Sequence, residues 1–467
     1  MRLTWAHPED LVAHELVACA AFGKDSAALE EIAGRWQAMG GSLEPAIAGA
    51  SDLTPELRGK ARLILDELDA LVTPADPLQP ESFDDILAAA GSTPPLEGPG
   101  SDFADRVRGG WLGRSAGCVL GKPVEKIPRH GVEEIARATG NWPITGYFTA
   151  VGLPEDVAGR WPWNKRSAPT SLVETIVGIP EDDDLNFALL ALDLAETPGF
   201  DTDTVAKLWL DNLPAGRVFT AERAAYRNLL DACPIEEVAE RRNPFREWIG
   251  ALIRADVFGW VSPGDPAAAA RLAWLDARLT HRRAGVYAAM WSAALCSAAV
   301  VVSQSEEDPV GTTLAAGLSV VPAHSEFAAA VVFGEQAARE ARDLESGLDA
   351  LHERFAGMHW VHSLNNAAVI AFSLRWSQRA SIPDFSVGVA AAVAAGWDTD
   401  SAGATVGSVL GALLGASNIP ESWTSPLAPD GRSTISTSIP GPAVRDINEL
   451  TQRTCMAANR RLEQVLP

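Results

Sequence analysis

The sequence predicts an all-α fold: a large helical bundle, a small helical module ahead of it, and room for a short β-hairpin near the C-terminus. Three observations carry this reading. Segments such as Leu185 to Leu194, Ala284 to Val302, Ala367 to Leu374 and Val387 to Ala395 are apolar nearly all round, as helices inside a bundle are. Small residues recur at helical spacing in Gly407, Gly411, Ala412 and Gly415, which lets backbones approach closely. Period-two runs are few, and the clearest is Ser433 to Ile439, where β-branched residues alternate with serines.

Along the chain, Pro8-Glu9-Asp10 opens a first helix and Gly23 is placed to close it. Asp25 and Ser26 can cap a second, which runs to Gly40-Gly41. Thr54 followed by Pro55 and Glu56 starts a third, with proline at the first helical position, and Ser82 begins a fourth. Gly91-Ser92-Thr93-Pro94-Pro95 and Gly98-Pro99-Gly100 hold neither helix nor strand and read as a linker. The expected division is an N-terminal helical module over residues 1–95 and a catalytic domain over 96–467. The module carries no cluster of chemically useful residues, which suits an accessory or oligomerisation role. Trp142 to Pro180 breaks the helical pattern. Its aromatic residues, Trp161 and Trp163 among them, are interrupted by prolines and glycines and predict a loop that covers substrate.

Composition narrows the function classes. The 467 residues are 47% hydrophobic and 21% charged, as in ordinary globular proteins. Acids outnumber bases 61 to 38, for a formal charge of -23. Such a surface repels phosphate backbones and anionic membranes, so neither nucleic acid nor membrane is an expected partner. The N-terminus lacks the pattern of a signal peptide. The uncharged stretch Val286 to Val302 is Ala- and Ser-rich and reads as a buried helix. The five cysteines are scattered, with no CxxC pair, which fits neither a disulfide framework nor a zinc site; a reducing cytoplasm is expected.

Two constellations can carry chemistry. Glu181-Asp182-Asp183-Asp184 stands directly before an apolar helix. Acids are favoured in a first helical turn by the helix dipole, but four consecutive carboxylates drawn towards an interior repel one another, and a hard cation resolves that conflict. Gly396-Trp397-Asp398-Thr399-Asp400-Ser401 opens a second apolar helix, with two carboxylates that can face one ion and a hydroxyl beside them. Helix capping by Asp400 or Ser401 is the plainer account of that cluster taken alone. Together, two acid-rich turns each feeding an interior helix call for cations, and five aspartates with a serine suit two octahedral ions.

These two segments, with the run Arg106-Val107-Arg108-Gly109-Gly110-Trp111-Leu112-Gly113-Arg114-Ser115-Ala116-Gly117-Cys118-Val119-Leu120-Gly121-Lys122-Pro123-Val124-Glu125, resemble the ADP-ribosylglycohydrolase family in kind and order. The resemblance runs from about Phe103 to the end and leaves the N-terminal helices outside. It implies a large orthogonal helical bundle. It implies Asp183, Asp184, Asp398, Asp400 and Ser401 as ligands of two Mg2+ or Mn2+ ions, with Asp182 offering a further oxygen. Glu125 matches the family's acidic residue beside the metals, so Glu125, Asp183 and Asp184 are the expected catalytic set. Where the family usually has Thr-Asp-Asp-Thr, this chain has Asp182-Asp183-Asp184-Leu185, which makes the expected site more anionic.

Further pocket candidates are Trp161, Trp163, Asn164, Asn186, Asp256, His281, His362 and Asn365. A lone histidine is more often structural, and His362 with Asn365 also suits a helix cap. Lys122 and Arg166 can meet a phosphate as point charge and fork, though both read first as surface residues. The resulting expectation is a metal-dependent hydrolase that cleaves an N- or O-glycosidic bond at the anomeric carbon of a ribosyl substrate, either a small molecule or an ADP-ribosylated protein. A homo-oligomer is compatible with it. The rival readings are a family member reduced to binding ADP-ribose and, against the motif spacing, a terpene-synthase-like enzyme.

Overall fold

A computed structural model describes residues 3–465. The N-terminal helices form where the capping residues stand. Helix Pro8–Ala21 ends ahead of Gly23, whose φ is +71°. Helix Ser26–Ala38 is capped by Asp25, whose side chain accepts from the Ala28 amide at 2.8 Å. The Thr54-Pro55 start opens a 3-10 turn, Pro55–Leu57, that continues as helix Arg58–Ala70, and the Thr54 side chain makes no cap bond. Ser82 caps helix Phe83–Ala89. The following linker is not a free tether: Ala323 donates to the Ala89 carbonyl at 2.9 Å, and Thr93 Oγ1 donates to Ser319 Oγ at 3.1 Å.

The bundle is built round one close pairing. Helix Phe103–Gly121 runs antiparallel to helix Thr399–Leu414, with Gly109 against Gly411, Gly113 against Gly407 and Gly117 against Gly403. A Cβ built on Gly117 would lie 1.9 Å from the Gly403 carbonyl oxygen, so the two backbones touch without intervening side chains. At the end of this seam Thr399 Oγ1 donates to the Gly121 carbonyl at 2.8 Å. Helix Ala284–Ala299 is buried on every face, as its lack of charge predicts, helix Ser363–Ser377 is so too, and Phe385–Ala394 is nearly so. Among the described residues no helix is long and apolar enough to cross a membrane.

The serine-rich run forms the expected hairpin: strand Thr434–Ser436 pairs antiparallel with Val444–Asp446, Ile435 opposite Arg445. Its position matters more than its size. Ile179 donates to the Thr434 carbonyl at 3.1 Å and accepts from the Ser436 amide at 2.9 Å, so the hairpin holds the stretch that leads into the first acidic cluster. The Trp142–Pro180 segment is not one long loop, since it contains the short helices Glu155–Arg160 and Ala168–Ser171.

Candidate active site

Both acidic clusters lie at helix starts and open into one cavity of about 540 Å³. Asp182 is the N-cap of helix Asp183–Glu196, its Oδ1 accepting from the Asp184 amide at 3.0 Å. Asp398 is the N-cap position of helix Thr399–Leu414, and the glycine seam brings that end beside the Lys122–Glu125 turn. The clusters meet directly. Ser401 Oγ donates to Asp184 Oδ2 at 3.2 Å, across 217 positions of chain. One carboxylate oxygen from each of Glu125, Asp398 and Asp400 falls within 4.8 Å of the others.

The charges are only partly balanced. Arg114, buried completely in the seam helix, donates to Asp184 Oδ1 at 3.2 Å, to the Asp184 carbonyl at 2.8 Å and to Asp256 Oδ2 at 2.6 Å. Lys122 pairs with Asp182 Oδ2 and donates to the Glu181 carbonyl at 2.9 Å. Lys126 pairs with Glu125 at 3.1 Å, and Asn164 Nδ2 donates to the same carboxylate at 2.5 Å. Asp183, Asp398 and Asp400 have no directly paired cation among the described residues, and the Asp183 carboxylate accepts no hydrogen bond from them either. Burial and then the neighbouring carboxylates of Asp182, Asp184, Asp400 and Glu125 push the Asp183 carboxyl well above its usual range. Asp398 is raised in the same way by burial and by Asp400. Asp400 is pushed up to about 7 by burial, then by Glu125 and Asp182. Burial also raises Asp184, against the opposing pull of Arg114. For Asp182 burial acts upwards as well, but Lys122 outweighs it and holds the carboxyl low.

This donor set fits hard divalent cations: all-oxygen, anionic, and in surplus over the fixed cations. Cys118 also lies near Asp182 and Asp184. Burial, and after it Asp182, hold its thiol far above the ordinary range, so it stays protonated and ligates poorly.

Placement of the remaining candidates is uneven. Asn164, Arg166 and Asn186 line the cavity, with Asn186 Oδ1 fixed by Thr437 Oγ1 of the hairpin segment at 2.5 Å. Trp161 and Trp163 do not line it. Trp161 donates to Glu134 at 2.6 Å and meets His130 edge-on, while Trp163 packs against Phe148. Asp256 stands behind the site, bound by Arg114 and by Ser292 Oγ at 3.1 Å. His281 is fully buried with Nδ1 2.6 Å from Thr280 Oγ1, and burial keeps it neutral. His362 caps helix Ser363–Ser377 and is depressed to about 4 by burial. Asn365 donates to the His359 carbonyl at 3.3 Å, whereas its neighbour Asn366 accepts from the Asp398 amide at 3.4 Å.

Lys122 is not a surface residue. It is buried, and its charge offsets the extra negative charge of Asp182, so the site is less anionic than the motif alone suggests. Sequence reasoning also missed Arg114, although an arginine set among Gly109, Gly110, Gly113 and Gly117 was a signal.

The model of the ADP-ribosylglycohydrolase family matches residues 99–461. The chain belongs to the ADP-ribosylglycohydrolase family. It is accordingly a hydrolase of the glycosyl-cleaving type, all-α as the family resemblance implied. A solved structure described as an ADP-ribosylglycohydrolase-related protein complex is similar at 18% identity over 77% of this chain and 98% of that chain, with a TM-score of 0.39. A search of curated proteins finds no match.

Proposed function

We propose that this ADP-ribosylglycohydrolase family member cleaves an N- or O-glycosidic bond at the anomeric carbon of a ribosyl substrate, using two Mg2+ or Mn2+ ions held between the acidic turns. The observation that carries this is the convergence of Asp183, Asp398 and Asp400, three buried or half-buried carboxylates without a paired cation, in one cavity. Asp183, Asp184, Asp398, Asp400 and Ser401 would hold the ions, with Glu125 beside them. Asp182 has partners on both oxygens and acts as cap and as counter-ion to Lys122. When bound, the ions supply Lewis-acid chemistry, fixing the ribose hydroxyls and easing loss of a proton from water.

The protein's own groups do the rest. Carboxylates surround the position where an oxocarbenium-like charge develops, which stabilises it. Glu125, oriented by Asn164 and Lys126, is placed to exchange a proton with the leaving group or with water. Arg114 fixes the Asp184 backbone and so the first turn of its helix.

The test is Mn2+ titration of the full-length protein together with release of free sugar from a panel of ribosides. Asp398→Asn should lose metal binding and turnover while keeping its helical circular dichroism. Full activity in that variant would remove the assignment.

A further inference from the structure

We propose that the N-terminal module is part of the substrate site and restricts the enzyme to ribosides free in solution, as opposed to ribosyl groups carried on folded proteins. This rests on the function proposed above and narrows its substrate class. The family match begins at residue 99, yet Thr4, Trp5 and Ala48 line the same cavity as Asp183 and Asp398.

Those residues arrive on two stretches locked to each other. Trp5 donates its amide to the Gly49 carbonyl at 2.7 Å, and a Cβ on Gly49, whose φ is +71°, would lie 2.1 Å from the Trp5 ring. The indole therefore lies against bare backbone, where only glycine fits. His14, Phe245, Trp248 and His359 meet the same indole edge-on, with ring centroids 5.5 to 5.9 Å away.

The wall is fastened to the bundle as well. Arg223 donates to the Thr4 carbonyl, and Trp360 Nε1 donates to the Ile47 carbonyl at 2.8 Å. Underneath, Glu15 and Arg246 form an ion pair at 2.9 Å with both side chains buried. Lifting the module would separate those charges and uncover the aromatic cluster, so it is a fixed partition and no swinging lid. A ribosyl group on a folded protein must bring its polypeptide surface up to the cavity mouth, and a rigid partition at the rim obstructs that approach. A free riboside enters a cavity of this size without it. The cationic Lys165 and Arg166 then offer partners for an anionic group, while Lys126 lies over the Trp360 ring and Arg166 and Arg223 over that of Phe219.

The experiment compares, in full-length enzyme with Mg2+, a free ADP-riboside and the same linkage on a folded protein. The free substrate should show a kcat/KM at least about tenfold higher. Ala48→Trp, at an exposed position that tolerates bulk, should weaken calorimetric binding of free ADP-ribose at least about tenfold and leave Mn2+ affinity at the wild-type value. Thr4→Trp is the second variant and should act likewise. Equal rates on the two substrates, or unchanged ADP-ribose affinity in both variants, overturns the proposal. Wild-type protein that binds Mn2+ but neither binds ADP-ribose nor cleaves any riboside overturns the underlying function, and this inference with it.

Discussion

The Ser401 hydroxyl donates to Asp184 Oδ2 at 3.2 Å, the one direct side-chain hydrogen bond between the two acidic turns among the described residues. Each turn is otherwise anchored by different parts of the chain, the first by Arg114 and the hairpin, the second by the glycine seam and Asn366. Ser401→Ala should therefore keep the fold and lower Mn2+ affinity by about tenfold, the size expected for one hydrogen bond to a charged group. Calorimetric titration reads it directly, and an unchanged affinity would mean that the serine is not a ligand.

Lys122 and Asp182 form a buried pair whose members should be inseparable. Lys122→Met leaves Asp182 buried and unpaired and should cost about 3–5 kcal/mol. The double variant Lys122→Met/Asp182→Thr should recover most of that loss, since the neutral threonine can still cap helix Asp183–Glu196. Denaturant unfolding of the two singles and the double measures the coupling.

Protons and metal should compete for the site. Asp183, Asp184 and Asp398 are raised above the ordinary carboxyl range, and Asp400 reaches about 7. A carboxyl whose folded value exceeds its unfolded value favours the fold at low pH, and that stability is lost as pH rises through the folded value. Relative to Asp400→Asn, metal-free wild type should thus lose thermal stability between about pH 5.5 and about pH 8. Added Mg2+ should raise Tm more at the higher pH, because binding requires the carboxylates ionised. Thermal scans at both values, with and without Mg2+, provide the check.

The seam predicts opposite outcomes for one type of substitution. Gly117→Ala drives a methyl into the Gly403 carbonyl and should destabilise by about 1–3 kcal/mol or more. Gly34→Ala, on a helix position with nothing within 4 Å, should stabilise by about 0.5–1 kcal/mol. Only the seam variant should also weaken Mn2+ binding.

Much of this architecture was legible in the residues. Caps at Asp25 and Ser82 announced their helices, and helix Ala284–Ala299 was visible as a run without charge. The acidic turns were legible because Asp182-Asp183-Asp184 and Asp398-Thr399-Asp400 have no place in a greasy interior without a counter-charge. What escaped was direction and depth. Irregular chain has no periodicity from which to tell which way a ring points, so Trp161 and Trp163 passed for cavity residues although they pack elsewhere. Lys122 follows a helix end, where a lysine ordinarily reaches water; only the fold reveals the carboxylate beside it. Trp5 was illegible for a third reason: no spacing rule connects residue 5 to residue 398.

The touching backbones of helices Phe103–Gly121 and Thr399–Leu414 work as a ruler whose length cannot be tuned. Because no side chain separates them, no substitution can shorten the interval between the Lys122–Glu125 turn and Asp398, and any that lengthens it pries the whole bundle open. Divergence of specificity in such an enzyme has to travel through parts that leave this spacing alone: the rim, the hairpin, and segments added in front of the family core.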